Sequence, residues 1–255
     1  MIIDSIILGI VEGITEFLPV SSTGHLILAS RLLNLSQTEF LKTFEIAIQL
    51  GAIFSVVFLY WKTIFKDIEA IKRIFVAFLP TAVIGLLLYK IFKQYFFNET
   101  IVLISLFVGG ILLIIFEMFY KEKEGAEAEI KQISYKKSFL IGIFQSIAIV
   151  PGVSRSAATI IGGLSLGIKR KTIVEFSFLL AVPTMLAATA YDFIKSSPSF
   201  SSSDLGSLAI GFLTSFIVAV FAVKWLIKYV QKNNFIAFGV YRIILAVLFF
   251  TLILR

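Results

Sequence analysis

The chain has no cysteine, a single histidine, five prolines and few charges, and each scarcity narrows what it can be. Without cysteine there is neither a disulfide nor a thiolate metal site, and nothing points to a redox compartment. Charged residues make up 15% of the sequence and hydrophobic ones 58%, whereas a soluble domain is about a quarter charged and half apolar. A soluble core is therefore excluded in favour of a polytopic α-helical membrane protein. The formal net charge of +7 raises nucleic acid as a partner. The basic residues are scattered between apolar runs, however, with no stripe or basic tail, so no nucleic acid is expected and membrane topology accounts for them. The N-terminus is apolar at once, lacks a basic n-region and soon carries Glu12 and Glu16, so it is expected to be retained, not cleaved as a signal peptide.

What the sequence does have is long apolar runs. A spanning helix needs about 20 mostly apolar residues, and six stretches qualify: 44–61, 74–91, 101–120, 173–194, 205–227 and 235–254. Two more, 2–33 and 138–168, are apolar but interrupted, at Pro19-Val20-Ser21-Ser22 and at Pro151-Gly152-Val153-Ser154-Arg155-Ser156. Proline removes a backbone donor and biases its predecessor away from helix, so each of these reads as two short helices around a break. The two also resemble each other: "LGIVEGI" (8–14) matches "IGIFQSI" (141–147), and "FEIAIQL" (44–50) echoes "EFSFLLA" (175–181).

The expected fold is thus all-α, in a single integral membrane domain over 1–255. Repeat one covers about 1–120, a cytoplasmic connector about 121–137, and repeat two about 138–255. Each repeat is a broken re-entrant hairpin followed by three spans, and an odd number of crossings inverts the second copy relative to the first. Charge supports the re-entrant reading. If 138–168 dips in and returns to its own side, the lysines and arginines divide 15 against 6, with Arg155 and Arg242 set aside as intramembrane; if it crosses, they divide 11 against 10. The positive-inside rule prefers the first, which puts the first hairpin on the extracytoplasmic side and the second on the cytoplasmic side. The stretch "SSPSFSSSD" (196–204) reads as a flexible extracytoplasmic loop.

Polar groups at membrane depth are costly enough to mark function, and irregular backbone there survives only in protein or beside water. Glu12 and Glu16 share a helix face at i,i+4. Two close carboxylates repel, so one must be protonated or a cation must sit between them, and oxygen ligands favour a hard ion such as Mg²⁺ or Ca²⁺. The bland alternative is that they only pair with Arg155 and Arg242. After Pro19 come Ser21, Ser22, Thr23, Gly24 and His25, where a half-helix N-terminus suits a phosphate. Singly, such serines are more often N-caps and a lone histidine more often a packing residue; it is their crowding beside two carboxylates that points to a site. The second break supplies Ser154, Arg155 and Ser156, and arginine's planar fork grips phosphate oxygens bidentately. If the hairpin tips meet, Arg155 faces Glu16, Ser22 and His25. Glu45, Gln49 and Glu175 sit at membrane depth in corresponding repeat positions and are expected to support the hairpins. Arg242 is expected to pair with a carboxylate or to snorkel.

"EGITEFLPVSSTGH" (12–25), "PGVSRS" (151–156) and "EFSFLLAVP" (175–183), with "KTFEIAIQLGAI" (42–53) and "YRIILA" (241–246), resemble the undecaprenyl-pyrophosphate phosphatase family of the bacitracin-resistance type over essentially the whole chain. Ala157 departs from the pattern, which usually has glycine there. The resemblance implies hydrolysis of undecaprenyl pyrophosphate to undecaprenyl phosphate and inorganic phosphate, recycling the lipid carrier of peptidoglycan synthesis in the bacterial plasma membrane. It also implies a divalent cation, a site open to the extracytoplasmic side, and bacitracin as a competitor for the substrate. Carried over by motif position, the catalytic residues are Glu12, Glu16, Ser22, His25 and Arg155, with Ser21, Thr23, Gly24, Ser154 and Ser156 near the phosphates.

For the chemistry, the expected step is attack by Ser22 with His25 as base, giving a phosphoserine. A phosphohistidine at His25, or direct attack by water with His25 or Glu16 as base, stays open. So does a reading from another class, an inverted-repeat transporter or flippase of polyprenyl phosphate or another anion. Oligomeric state is also open, a homodimer among the choices.

Overall fold

The computed structural model describes residues 2–36, 38–95, 98–122, 125–196 and 204–253. The loop expected at 196–204 lies almost entirely outside them, as do Lys123 and Arg255 of the charge division. The described residues form α-helices and no strand, with one isolated bridge between Glu127 and Ile168.

The first interrupted stretch is a broken hairpin, α1 (Ile2–Thr15) and α2 (Ser22–Leu32). There follow α3 (Glu39–Leu59), a short α4 (Trp61–Lys66), α5 (Ile68–Tyr95) and α6 (Glu99–Phe119). The second broken hairpin is α7 (Tyr135–Ser146), a 3-10 turn at Ile147–Ile149, and α8 (Arg155–Ser165). Three more helices close the chain: α9 (Arg170–Ser196), α10 (Leu205–Tyr229) and α11 (Ile236–Ile253). Side chains that satisfy orphan amides fix several starts. Thr38 Oγ1 accepts from the amide of Leu41 at 3.1 Å, Asn98 Oδ1 from Ile101 at 2.9 Å, and Ser134 Oγ from Lys137 at 3.2 Å.

Among the described residues five helices are long and apolar enough to cross a membrane: Glu39–Leu59, Ile68–Leu88, Glu99–Phe119, Arg170–Tyr191 and Leu205–Tyr229. The sixth expected span, 235–254, corresponds to α11, an apolar helix of 18 residues. As the expected spans 74–91 and 173–194 require, proline does not end every helix here. Pro80 and Pro183 sit inside α5 and α9 without ending them, because neighbouring helices and hydroxyls can absorb the freed backbone groups at membrane depth. The lipid-compatible outer face is apolar, with Phe65, Leu87, Phe119 and Phe221 exposed.

Packing follows the order of elements. α1 and α3 rest on α10, α7 rests on α5, and α6 pairs with α11. Matching the two hairpin-plus-three-helix units in chain order exchanges the contact of α1 with α10 for that of α7 with α5. The largest buried cluster lies between the hairpin breaks and α9. Phe17, Leu18 and Val20 of the first break pack there with Ile160 and Leu164 of α8 and with Phe176, Phe178 and Leu180 of α9. The two interruptions therefore meet in the protein interior, where irregular backbone is sheltered.

Candidate active site

The first break runs through Glu16–Val20 and ends at Ser21, whose φ of 71° is in the left-handed region. A non-glycine residue held there costs on the order of 1–3 kcal/mol, and Ser21 is held from both ends of its own residue. Its Oγ accepts from the amide of Gly24 at 3.5 Å, and its carbonyl accepts from His25 Nδ1 at 2.7 Å. α2 starts at once behind it, so the first-turn amides of Ser22 and Thr23 have no carbonyl one turn back.

The second break turns through Gly152, at φ +86°. A Cβ there would lie 2.6 Å from the carbonyl oxygen of Val102, so the tip can press against α6 only as glycine. Ser154 then caps α8, its Oγ accepting from the amide of Ala157 at 3.2 Å. Two hydroxyls stitch this tip to the first. Ser156 Oγ donates to the carbonyl of Phe17 at 2.8 Å, and Ser154 Oγ reaches the carbonyl of Leu18 at 3.5 Å. Ala157, the departure from the family pattern, is buried in the first turn of α8 and leaves its amide available to Ser154.

Glu16 stands at the junction. Its Oε2 accepts from Ser22 Oγ at 2.6 Å and its Oε1 from Arg155 Nη2 at 2.9 Å. Arg155 also donates through Nη1 to the carbonyl of Ser177 on α9 at 2.9 Å and lies over the ring of Phe17. The carboxylate, hydroxyl and guanidinium expected together are in contact here.

Two sets of polar atoms at this junction are buried without partners. Both oxygens of Glu12 lack a hydrogen bond although the residue is fully buried, and Arg155 Nε is a buried donor with no acceptor. Buried polar groups are nearly always satisfied. An orphan donor on a guanidinium beside a nucleophile-sized hydroxyl suits a phosphate oxygen, and an orphan carboxylate suits a cation or a proton. Glu45 on α3 lies within electrostatic reach of Glu12.

Among the described residues no group of three His, Cys, Asp or Glu forms a ready-made metal cage. Glu12 with its neighbour Glu16 nonetheless fits a hard cation of the Mg²⁺ kind, which commonly takes one or two carboxylates and completes its shell with substrate phosphates and water.

His25 is on α2 one turn beyond Ser22, but its ring does not meet that hydroxyl. Nδ1 faces the carbonyl of Ser21 and Nε2 faces the hydroxyl of Tyr241 on α11 at 2.7 Å. The proton acceptor of Ser22 is thus Glu16, not the expected His25. Thr23 is exposed and Gly24 packs against Leu106. Ser154 and Ser156 serve the tip-to-tip contact rather than an open pocket. Glu175 approaches Lys171 at 3.9 Å, on its own helix, and Gln49 is half-buried on α3.

Arg242 corrects an expectation: it neither pairs with a carboxylate nor snorkels. Almost wholly buried, it donates to the carbonyls of Ser105 at 3.0 Å, Gly152 at 3.2 Å and Leu106 at 3.3 Å. Three carbonyl dipoles replace a counter-ion, and the guanidinium pins the second tip to α6 and α11. Gly109 makes the room, since a Cβ there would fall 2.2 Å from Arg242 Nη2.

The sequence alone missed Tyr241 and Ser177. Both lie in stretches that carry the resemblance, but a tyrosine in an apolar helix reads as an interfacial anchor and the Ser177 contact uses a backbone carbonyl, which no side-chain pattern reveals.

The model of the family "Bacitracin resistance protein BacA" matches residues 5–248. The chain belongs to this family. It is 56% identical to the undecaprenyl-diphosphatase of Persephonella marina, with 99% of each chain covered. Its identity to the undecaprenyl-diphosphatase of Sulfurihydrogenibium sp. is 55%, over 97% of this chain and 98% of the relative. Its identity to that of Aquifex aeolicus is 50%, over 96% of each. Membership together with five apolar helices makes this member of the BacA family a multi-pass membrane protein. The five quoted stretches that carry the resemblance supply the residues of this junction: Glu12 to His25, Glu45, Ser154 to Ser156, Ser177, and Tyr241 with Arg242.

Proposed function

We propose that this chain is a membrane-embedded phosphatase that hydrolyses undecaprenyl pyrophosphate to undecaprenyl phosphate and inorganic phosphate. The observation that carries the reading is the three-residue contact across the two hairpins, Ser22–Glu16–Arg155, with an orphan guanidinium donor at its edge. The sequence resemblance and the names of the relatives support the substrate.

Arg155 Nε and the first-turn amides of α2 take the oxygens of the terminal phosphoryl group, where they offset charge that grows in the transition state. Glu16 Oε2 accepts the proton of Ser22 as its Oγ attacks the terminal phosphorus. The anhydride P–O bond breaks, undecaprenyl phosphate leaves, and the phosphoryl group remains on Ser22. Water then attacks the phosphoserine and gives a proton to His25, while Ser22 recovers its own from Glu16 and inorganic phosphate departs. Glu12 with Glu16 would hold a divalent cation, Mg²⁺ or Ca²⁺, which supplies neutralisation of the remaining pyrophosphate charge. The polyprenyl tail lies along the apolar outer face, in contact with lipid.

The two units are read as inverted repeats in a plasma membrane, with the site open to the extracytoplasmic side. The support is the 15-to-6 division of basic residues and the matching order of the two units. Bacitracin, by sequestering the pyrophosphate head group, competes with the enzyme for its substrate.

The test is phosphate release from a prenyl pyrophosphate by protein purified in detergent, with and without chelator. Release is expected from the wild type and not from Ser22→Ala. Because no membrane separates two compartments, a transporter releases nothing, and full activity in Ser22→Ala would sink the covalent step.

A further inference from the structure

The BacA-family reading assigns no task to Tyr241, yet the structure puts its hydroxyl on the chain's single histidine. His25 Nδ1 lies 2.7 Å from the carbonyl oxygen of Ser21. A carbonyl only accepts, so Nδ1 carries the proton and Nε2 holds the ring's lone pair. That lone pair faces Tyr241 Oη at 2.7 Å, so in the neutral ring the phenol donates to it. The two rings are nearly parallel, 8° apart with centroids at 5.5 Å, which fixes the imidazole plane as well as its edge.

Tyr241 is itself held. Its neighbour Arg242 is bonded to three backbone carbonyls of α6 and of the second tip. α11 packs along α6, which also receives Gly24 of the first hairpin. The tyrosine is about 44% exposed as a whole, while its hydroxyl is turned onto the buried His25 and its register is set through Arg242.

We infer that Tyr241 is the positioning residue of His25: its hydroxyl partners Nε2 in both protonation states, and its ring holds the imidazole plane. A hydroxyl serves both states because it donates to a lone pair and accepts from an N–H. The proton released by water reaches Nε2 through the phenol: Tyr241 Oη gives its own proton to the lone pair and takes one from water, and the new Nε2–H then donates to the phenol oxygen. The imidazole therefore need not swing between the two halves of a turnover, which is what a base acting near 3 Å requires. A tyrosine that only filled space would do none of this.

This inference rests on the catalytic reading of His25, and its test is built to separate the two. Full-length protein labelled with ¹⁵N-histidine gives one pair of ring nitrogens, because there is only one histidine. The wild type is expected to show a protonated Nδ1 and a hydrogen-bonded, unprotonated Nε2. In Tyr241→Phe, which keeps the ring, Nε2 should move toward the position of a free lone pair while Nδ1 stays. In the same variant kcat should fall on the order of tenfold with KM within about twofold, and Tyr241→Ala should fall further because the stacked ring is also gone. An Nε2 resonance unmoved in Tyr241→Phe, or a kcat within twofold of wild type, overturns the proposal. Failure of the catalytic reading shows elsewhere, as full activity in His25→Ala, and the Nε2 resonance of Tyr241→Phe still decides whether the contact exists.

Discussion

The two broken hairpins put different groups into the same slot. Matching "LGIVEGI" with "IGIFQSI" sets Glu12 against Gln145, and both are buried. Gln145 Nε2 donates to Thr81 Oγ1 at 2.9 Å and to Thr184 Oγ1 at 3.1 Å, so α5 and α9 receive its amide group. Glu12 has no hydrogen-bond partner at either oxygen. The amide nitrogen in this register is accommodated by hydroxyls and only its Oε1 goes without a donor, whereas both oxygens of the Glu12 carboxyl go without, a larger cost that the fold carries for another purpose. In the proposed mechanism one hairpin contributes a single group, Arg155, and the other carries the reactive groups. The same division appears in the backbone, since the second tip turns on a glycine and the first on a strained serine.

The comparison is broken most severely by removing the one group that crosses between hairpins. Arg155→Ala should lower kcat/KM about a thousandfold, because it strips a phosphoryl donor and leaves Glu16 unpaired. Arg155→Lys should recover little of that loss, since lysine lacks the fork that reaches Glu16, Ser177 and substrate together. Steady-state phosphate release checks both, and recovery in Arg155→Lys to within tenfold of wild type would count against the bidentate role. Glu12→Gln converts the reactive slot into its counterpart. Activity should fall about a hundredfold while thermal stability in detergent holds or rises, because the buried orphan charge is gone. A parallel loss of stability would mean that Glu12 serves the fold.

The converse change, Gln145→Glu, should act through stability first. The two threonine hydroxyls already donate to the carbonyls of Gly142 and Leu180, so a new carboxylate finds acceptors where it needs donors. A loss of about 1–3 kcal/mol is expected, read as a lower melting temperature, with activity within several-fold of wild type for the protein that remains folded.

How much of this was legible in the sequence depended on whether the signal was local. Apolar runs and proline breaks located both hairpins, and the crowding of Glu16, Ser22 and Arg155 in two short motifs located the junction. Two things lay beyond such patterns. The partner of Ser22 was decided by the turn between Glu16 and Ser21, which brings a carboxylate from the end of α1 onto the first residue of α2 and leaves His25 facing α11. Arg242 was expected to seek a carboxylate because charge pairing is what a sequence suggests, whereas three backbone carbonyls answered it.

The mildest test uses the glutamates of the two echoed stretches, which fall one residue apart in register. "FEIAIQL" and "EFSFLLA" each carry a glutamate at membrane depth, Glu45 and Glu175, both expected to support the hairpins. They differ in surroundings. Glu45 lies within reach of Glu12, while Glu175 approaches Lys171 one turn earlier on α9. Glu45→Gln alters the field at the reactive carboxylates and should change kcat roughly fivefold, the rate equivalent of about 1 kcal/mol. Glu175→Gln removes only a long, partly exposed ion pair, a contact worth under about 1 kcal/mol, and should leave kcat and KM within twofold. Equal effects of the two substitutions would mean that the second unit shares in the chemistry beyond Arg155, and the division between a reactive and a supporting hairpin would have to be redrawn.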